Sequence, residues 1–410
     1  MRDLVTPLRE RTFLLMWSAT LLANLGFWMQ DVTLGWLVSS LTSSPSLVAM
    51  VPAAAMLPTF VLSLPAGALG DIVDSRKLLI GMQSAIIAAL LALALAIGLH
   101  ILTIGGLLLF AFVAGTLNAL ASPSRQAILP SIVRRDDVSA AVMLNSISYN
   151  GSRAVGPLVG GMLLAAFGPM EAVLAYALAC VAVLAVFCNW KPVPTVRPAK
   201  IDILGNVLDG LRYARRNGTL SRPLAMASVY FCCVAPLWAF VPLIARSFAA
   251  GNTGVFGMFM ASIGLGAVLA GLSPYLNGSR GYFVSLRNSA ALTAAAFFGI
   301  AAAPNIVCSL LAFLLAGVGW IGVSAGINSY VLLEADQAYR TRMIAVVMIV
   351  FSGSLSLGSI LWGQAARHIG IFACFVVAGG CMLALALVVA WKHVPRGSGV
   401  RLPSRAEPGD

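Results

Sequence analysis

The sequence predicts an all-α membrane protein with twelve transmembrane helices in two pseudo-symmetric six-helix bundles. Three observations carry that expectation. The 410 residues are 60% hydrophobic and only 10% charged, where a soluble domain carries about 25% charged residues. Apolar runs of roughly 20 residues, the length that crosses a bilayer, recur along the whole chain. The basic residues also fall almost entirely on alternate connections, as they do when a chain threads a membrane repeatedly.

The apolar runs place six helices near 12–38, 45–69, 77–99, 102–122, 140–167 and 170–190. Six more fall near 222–247, 253–275, 282–302, 305–332, 342–366 and 369–391. The chain therefore divides into an N-terminal bundle (1–190), a linker (191–221), a C-terminal bundle (222–391) and a tail (392–410). Arg2, Arg9 and Arg11 precede the first run, which carries Asn24, Gln30 and Asp31 and so reads as a span and not as a cleavable signal. The linker opens on Pro192, Pro194 and Pro198 and then places Ile201, Leu204, Leu208 and Leu211 on one helical face. Arg212, Arg215 and Arg216 follow, and such a helix suits the membrane surface.

Of the 26 Lys and Arg, all except Arg153, Arg246 and Arg367 fall at the N-terminus, in the linker, in the tail, or in loops on one side. That puts both termini in the cytoplasm. The net charge of +12 is then explained by cytoplasmic loops beside anionic lipid, with no nucleic-acid partner. The seven Cys lie in apolar runs without a C-x-x-C pair, the pattern of buried free thiols and not of a metal site or disulfides.

The halves echo each other. Asn145 through Gly161, with Gly156-Pro157 and Gly160-Gly161, follows the basic loop Arg134-Arg135. In the second half, Ser352 through Gly363 follows Arg340 and Arg342. Two repeated six-helix units are the arrangement in which transporters hold cargo at the midplane.

One stretch interrupts the apolar pattern: Gly67-Ala68-Leu69-Gly70-Asp71-Ile72-Val73-Asp74-Ser75-Arg76-Lys77. Hydrocarbon cannot solvate so much charge, so it belongs at a membrane surface. Gly67, Leu69, Asp71 and Arg76 resemble the loop between helices 2 and 3 of the major facilitator transporters, whereas Ile72, Asp74 and Ser75 depart from it. Asn24 through Gln30 with Trp36, and Pro123 through Pro130 with Gly156-Pro157 and Gly160-Gly161, are similar to the transmembrane secretion effector branch of those transporters. The resemblance implies a bacterial inner-membrane, proton-coupled exporter of a small amphipathic molecule such as a siderophore. A multidrug or dye efflux pump, or a small-solute importer, stands as the alternative. A monomer with no cofactor is expected, its partners being cargo, protons and the bilayer.

Asp31 and Arg153 are the ionisable residues placed well inside spans, and a charge there costs at least about 2.5 kcal/mol. They are the candidates for proton coupling; a static pair, or a residue in a wet vestibule, is the other reading. Gly67, Asp71 and Arg76 are the candidate gating loop, with an inert turn as the alternative. Gly156, Pro157, Gly160 and Gly161 resemble the helix-5 motif of antiporters, although close helix packing with a local bend is the better physical explanation of them. Asn24, Trp28, Tyr149, Trp238 and Asn328 are candidate cavity residues, and Tyr230 and Trp320 are further aromatic candidates. Large amphipathic rings there would suit planar cargo, although each could equally serve packing. The three His (100, 368 and 393) stand far apart at helix ends, and no nucleotide-binding or hydrolase motif occurs, so an enzyme is not expected.

Overall fold

The computed structural model describes residues 5–72, 74–134, 137–190, 203–249, 253–271, 273, 281–336 and 339–392. The linker start (191–202), the loop 274–280 and the tail from 393 lie outside the described residues. So do the side-chain surroundings of Gly67, Asp71 and Arg153, whose backbones fall within helices.

The N-terminal bundle consists of α1 (Arg11–Leu41), α2 (Pro45–Ile72), α3 (Ser75–Gly98), α4 (Ile104–Ser131), α5 (Val138–Phe167) and α6 (Pro169–Asn189). A short amphipathic helix, α7 (Ile203–Arg216), precedes the second bundle. That bundle is α8 (Gly218–Ala249), α9 (Thr253–Gly271), α10 (Tyr282–Ala302), α11 (Ile306–Glu334), α12 (Arg340–Ile369) and α13 (Ile371–Lys392). Among the described residues, eleven of these helices are long and apolar enough to cross a membrane. The remaining long helix, α5, supplies the apolar stretch Val155–Phe167.

The repeat seen in sequence is a repeat of packing. In the first bundle α1 packs on α5 and α6, α2 on α4, and α3 on α4 and α6. The second bundle reproduces each pair: α8 with α12 and α13, α9 with α11, and α10 with α11 and α13. Local chemistry repeats as well. Thr103 caps the N-terminus of α4 and Asn305 that of α11, each accepting a backbone N–H. Single-residue turns at Gly168 (φ 101°) and Gly370 (φ 82°) join α5 to α6 and α12 to α13. An L side chain is strained at those angles, which accounts for glycine at both.

The bundles meet through α2 against α12 and α5 against α9, again equivalent pairs. Their named contacts lie between mid-depth and the end that carries the α1–α2, α5–α6 and α12–α13 turns, here called the sealed end. Gly161 of α5 meets Gly257 of α9, where a methyl group on Gly257 would come within 2.9 Å of the Gly161 Cα. A methyl group on Gly363 of α12 would come within 2.7 Å of Ala49 Cβ and 3.2 Å of Ser46 Cα on α2. Small residues here let two backbones approach as close as helices can. Ser356 Oγ donates to the Ala53 carbonyl at 3.2 Å across the same seam. Val32, Trp36, Ala49 and Leu164 of the first bundle belong to one apolar core with the second.

Several expected boundaries move. Helix 2 runs to Ile72, so residues 67–72 are its last turns, and α3 already begins at Ser75. Helix 4 runs past Pro123 and Pro130 to Ser131, because neighbouring helices can compensate for a missing backbone donor inside a bundle. Arg125, read above as a loop base, is therefore a helical residue. All seven Cys are free thiols, and Cys188, Cys308 and Cys381 are exposed, not buried.

Candidate functional site

Asn24, Trp28 and Asp31 share one stripe of α1, but their neighbours differ. Asn24 Nδ2 donates to Ser148 Oγ on α5 at 3.4 Å. The Trp28 ring meets the Tyr149 ring edge-on at 6.2 Å, and its Cβ lies 2.6 Å from where a methyl group on Gly156 would stand. Gly160 takes α5 equally close to Met29, so Gly156 and Gly160 seat α5 on α1 while Gly161 faces α9. Pro157 borders a small cavity with Trp238, Met260 and Trp320.

Asp31 points to the seam. It lines a cavity of about 30 Å³ with Val48 and Pro52 of α2, Trp238 and Pro242 of α8, and Phe256 and Met260 of α9. One water needs about 10–15 Å³, so the space has room for about two. The carboxylate makes no hydrogen bond or ion pair among the described residues. Along the α1–α5 register, Ser152 Oγ reaches the Leu21 carbonyl and Gly160 reaches Met29. Arg153 thus sits on α5 at the depth of Leu21 to Leu25, about two turns from Asp31.

Just beyond Asp31, Trp36 packs against the second bundle beside the cavity residues Gly35 and Phe256. Its ring stacks on Phe256 of α9 at 6.2 Å and 28°. The Arg246 guanidinium of α8 lies 4.9 Å from the same ring. Gly35 beside it abuts Pro242 and Phe256. Trp36 thus inserts from one bundle between two helices of the other.

The second-bundle candidates divide. Trp238 is half-buried, borders both cavities and meets Trp320 at 5.3 Å. Asn328 donates to the Ser324 carbonyl of its own helix at 2.9 Å. Tyr230 is fully buried and shares a hydrogen bond with Thr293 at 2.8 Å, so it is a core residue and not a cavity one.

At the opposite end, Asp74 caps α3 by accepting the backbone N–H groups of Arg76 (2.9 Å) and Lys77 (3.1 Å). Arg76 Nε donates to the Phe187 carbonyl at 3.1 Å and its Nη2 to the Cys188 carbonyl. Those orphan carbonyls at the α6 C-terminus favour a cation. The Asp74–Lys77 part of the charged stretch therefore ties the start of helix 3 to the end of helix 6. The Asp71 side chain lies outside the described residues.

Sequence reasoning missed two groups. Arg125 reaches back two turns along α4 to donate to Asn118 Oδ1, a placement hidden because a base near two prolines reads as a loop. Tyr213 of α7 stacks on Tyr339 at 4.2 Å and 2° and donates to Asp336 Oδ2 at 2.9 Å. That contact joins positions 123 residues apart, which no local pattern signals.

Two repeated six-helix bundles that meet through α2 against α12 and α5 against α9, with small cavities at their seam, define a multi-pass membrane transporter of the major facilitator type. The family model described as transmembrane secretion effector matches residues 3–408, and the chain belongs to that family. The staphyloferrin A transporter of Staphylococcus aureus is 24% identical over 90% of this chain and 94% of its own. The multidrug efflux pump Tap of Mycolicibacterium fortuitum is 26% identical over 94% of this chain and 97% of its own. The fold is shared with the nucleoside transporter NupG (TM-score 0.71, 14% identity, 94% of this chain and 100% of that chain). It is shared too with a bacterial homologue of the lysosomal transporter Spinster in an inward-facing, unoccupied conformation (TM-score 0.70, 12% identity, 94% and 95%). These relatives are transporters and not enzymes.

Proposed function

We propose that the protein is a proton-coupled exporter of a small amphipathic molecule, of the siderophore kind, working by alternating access. The observation that carries this reading is Asp31. A coupling group must sit where its protonation can bias the two bundles, and Asp31 lines a cavity at their seam with room for water and, among the described residues, no fixed counter-ion. A neutral carboxyl group tolerates a closed, apolar seam, and an ionised one favours water and hence separation. In the proposed orientation both termini are cytoplasmic, the membrane is the bacterial inner membrane, and the sealed end faces the periplasm. Cargo then enters from the cytoplasmic side, and the Trp36 contacts part to release it. The likeness to a siderophore transporter supports that cargo class. The comparable likeness to the pump Tap keeps multidrug efflux as the second reading.

The test is cellular accumulation with and without the gene, using a siderophore panel and ethidium as probes. Retention of a siderophore only in the cells lacking the gene supports the first reading. Retention of ethidium alone supports the second. Higher accumulation in the cells that carry the gene would mean import and overturn both.

A further inference from the structure

Arg125 is a guanidinium inside a membrane-spanning bundle that the coupling scheme does not use. From Cα well down α4 its side chain climbs two turns to Asn118, near mid-depth of the helix. Around it, within electrostatic reach, stand Tyr149 of α5 and Tyr176 and Cys180 of α6. Phenols and thiols are neutral near pH 7, so none of these supplies a counter-charge. Among the described residues no carboxylate pairs with Arg125, and Asn118 is its single hydrogen-bond partner. Its remaining donors are mostly enclosed yet not sealed away, for the side chain keeps a minor share of exposed surface and contributes no buried unpartnered atom. Tyr149 is 46% exposed and meets Trp28, so an accessible aromatic surface adjoins the guanidinium.

A positive charge held in this setting by one neutral amide leaves most of its desolvation uncompensated. The planar fork of donors is suited to two oxygens of one anionic group. Asn118 occupies one donor and fixes the direction of the rest. We propose that Arg125, oriented by Asn118 and flanked by Tyr149 and Trp28, is the anion-recognition element of the cargo site, and that the cargo carries a carboxylate beside an aromatic or other planar body. The inference rests on the exporter reading only in placing cargo between the bundles at mid-depth.

The test is binding, measured separately from transport. Tryptophan fluorescence of the purified full-length protein in nanodiscs is titrated with 2,3-dihydroxybenzoate, its methyl ester, and ethidium. Charge-assisted hydrogen bonding predicts that wild type binds the acid about tenfold more tightly than the ester. Arg125→Gln is expected to bring acid and ester to parity, Arg125→Lys to keep part of the preference, and neither to weaken ethidium. Should Arg125→Gln fail to fold, Asn118→Leu carries the test, with a several-fold loss for the acid alone. Equal binding of acid and ester by wild type, no binding of the acid, or an acid preference that survives both variants would overturn the proposal. Acid binding that depends on Arg125 in a protein showing no gradient-driven transport would retain this site and reject the exporter reading. Gradient-driven ethidium export without acid preference would do the reverse.

Discussion

Trp36 of the first bundle lies 4.9 Å beneath the Arg246 guanidinium of the second, and the two bundles cannot part at the sealed end without separating them. A cation–π contact of this kind contributes roughly 0.5–2 kcal/mol, enough to shift a two-state equilibrium about tenfold. Trp36→Ala and Arg246→Ala are therefore expected to widen the spin-label distance between Thr42 and Asn305, measured by pulsed electron resonance. Gly161→Val should act more strongly, because even a Cβ collides with Gly257. Unchanged distance distributions in all three would remove the seal from the account.

Asp74 caps α3, and Arg76 ties it to the end of α6. Asp74→Ala should cost about 1 kcal/mol, and Arg76→Ala a similar amount through the α6 carbonyls, both seen as lower melting temperatures in detergent. Asp71→Asn is expected to behave differently, with normal melting but severely reduced transport. Normal transport in Asp71→Asn would exclude a gating role for that residue.

Tyr213 latches α7 to the start of α12 through a stacked ring and a carboxylate. Tyr213→Phe keeps the stack and should cost roughly 1 kcal/mol. Tyr213→Ala loses both and should cost roughly 2 kcal/mol. Equal melting temperatures for the two variants would show that the ring contributes nothing.

Reporter fusions at Arg216 and after Trp391 should read cytoplasmic, and one at Thr42 periplasmic. An opposite result at any of the three would invert or break the proposed topology.

The fold was legible because hydropathy and charge alternation are local, and each span announces itself over about 20 residues. The boundaries that moved did so where a local rule met a three-dimensional exception. Pro123 and Arg125 look like a helix end in one dimension, yet Asn118 two turns earlier gives the guanidinium a partner inside the bundle. Asp71 looked like loop because it is charged, yet the backbone stays helical to Ile72.

The site was legible only in part. Asp31 could be singled out as an ionisable residue in a span, but its cavity is built by α2, α8 and α9, whose register against α1 no sequence pattern encodes. Gly161 was noted as part of a small-residue motif, while its partner Gly257 was not, since the pair exists only once the bundles meet. Trp36 entered as a point of family likeness, and its insertion between α8 and α9 became visible only in the fold.

The central claim, that Asp31 couples protons to bundle movement, is tested most directly in vesicles reconstituted with wild type and Asp31→Asn. Transport of the cargo identified by the accumulation assay is measured first under an imposed pH gradient and then as gradient-free exchange. The account predicts that Asp31→Asn loses gradient-driven uphill transport and retains exchange. Full uphill transport by Asp31→Asn would contradict it.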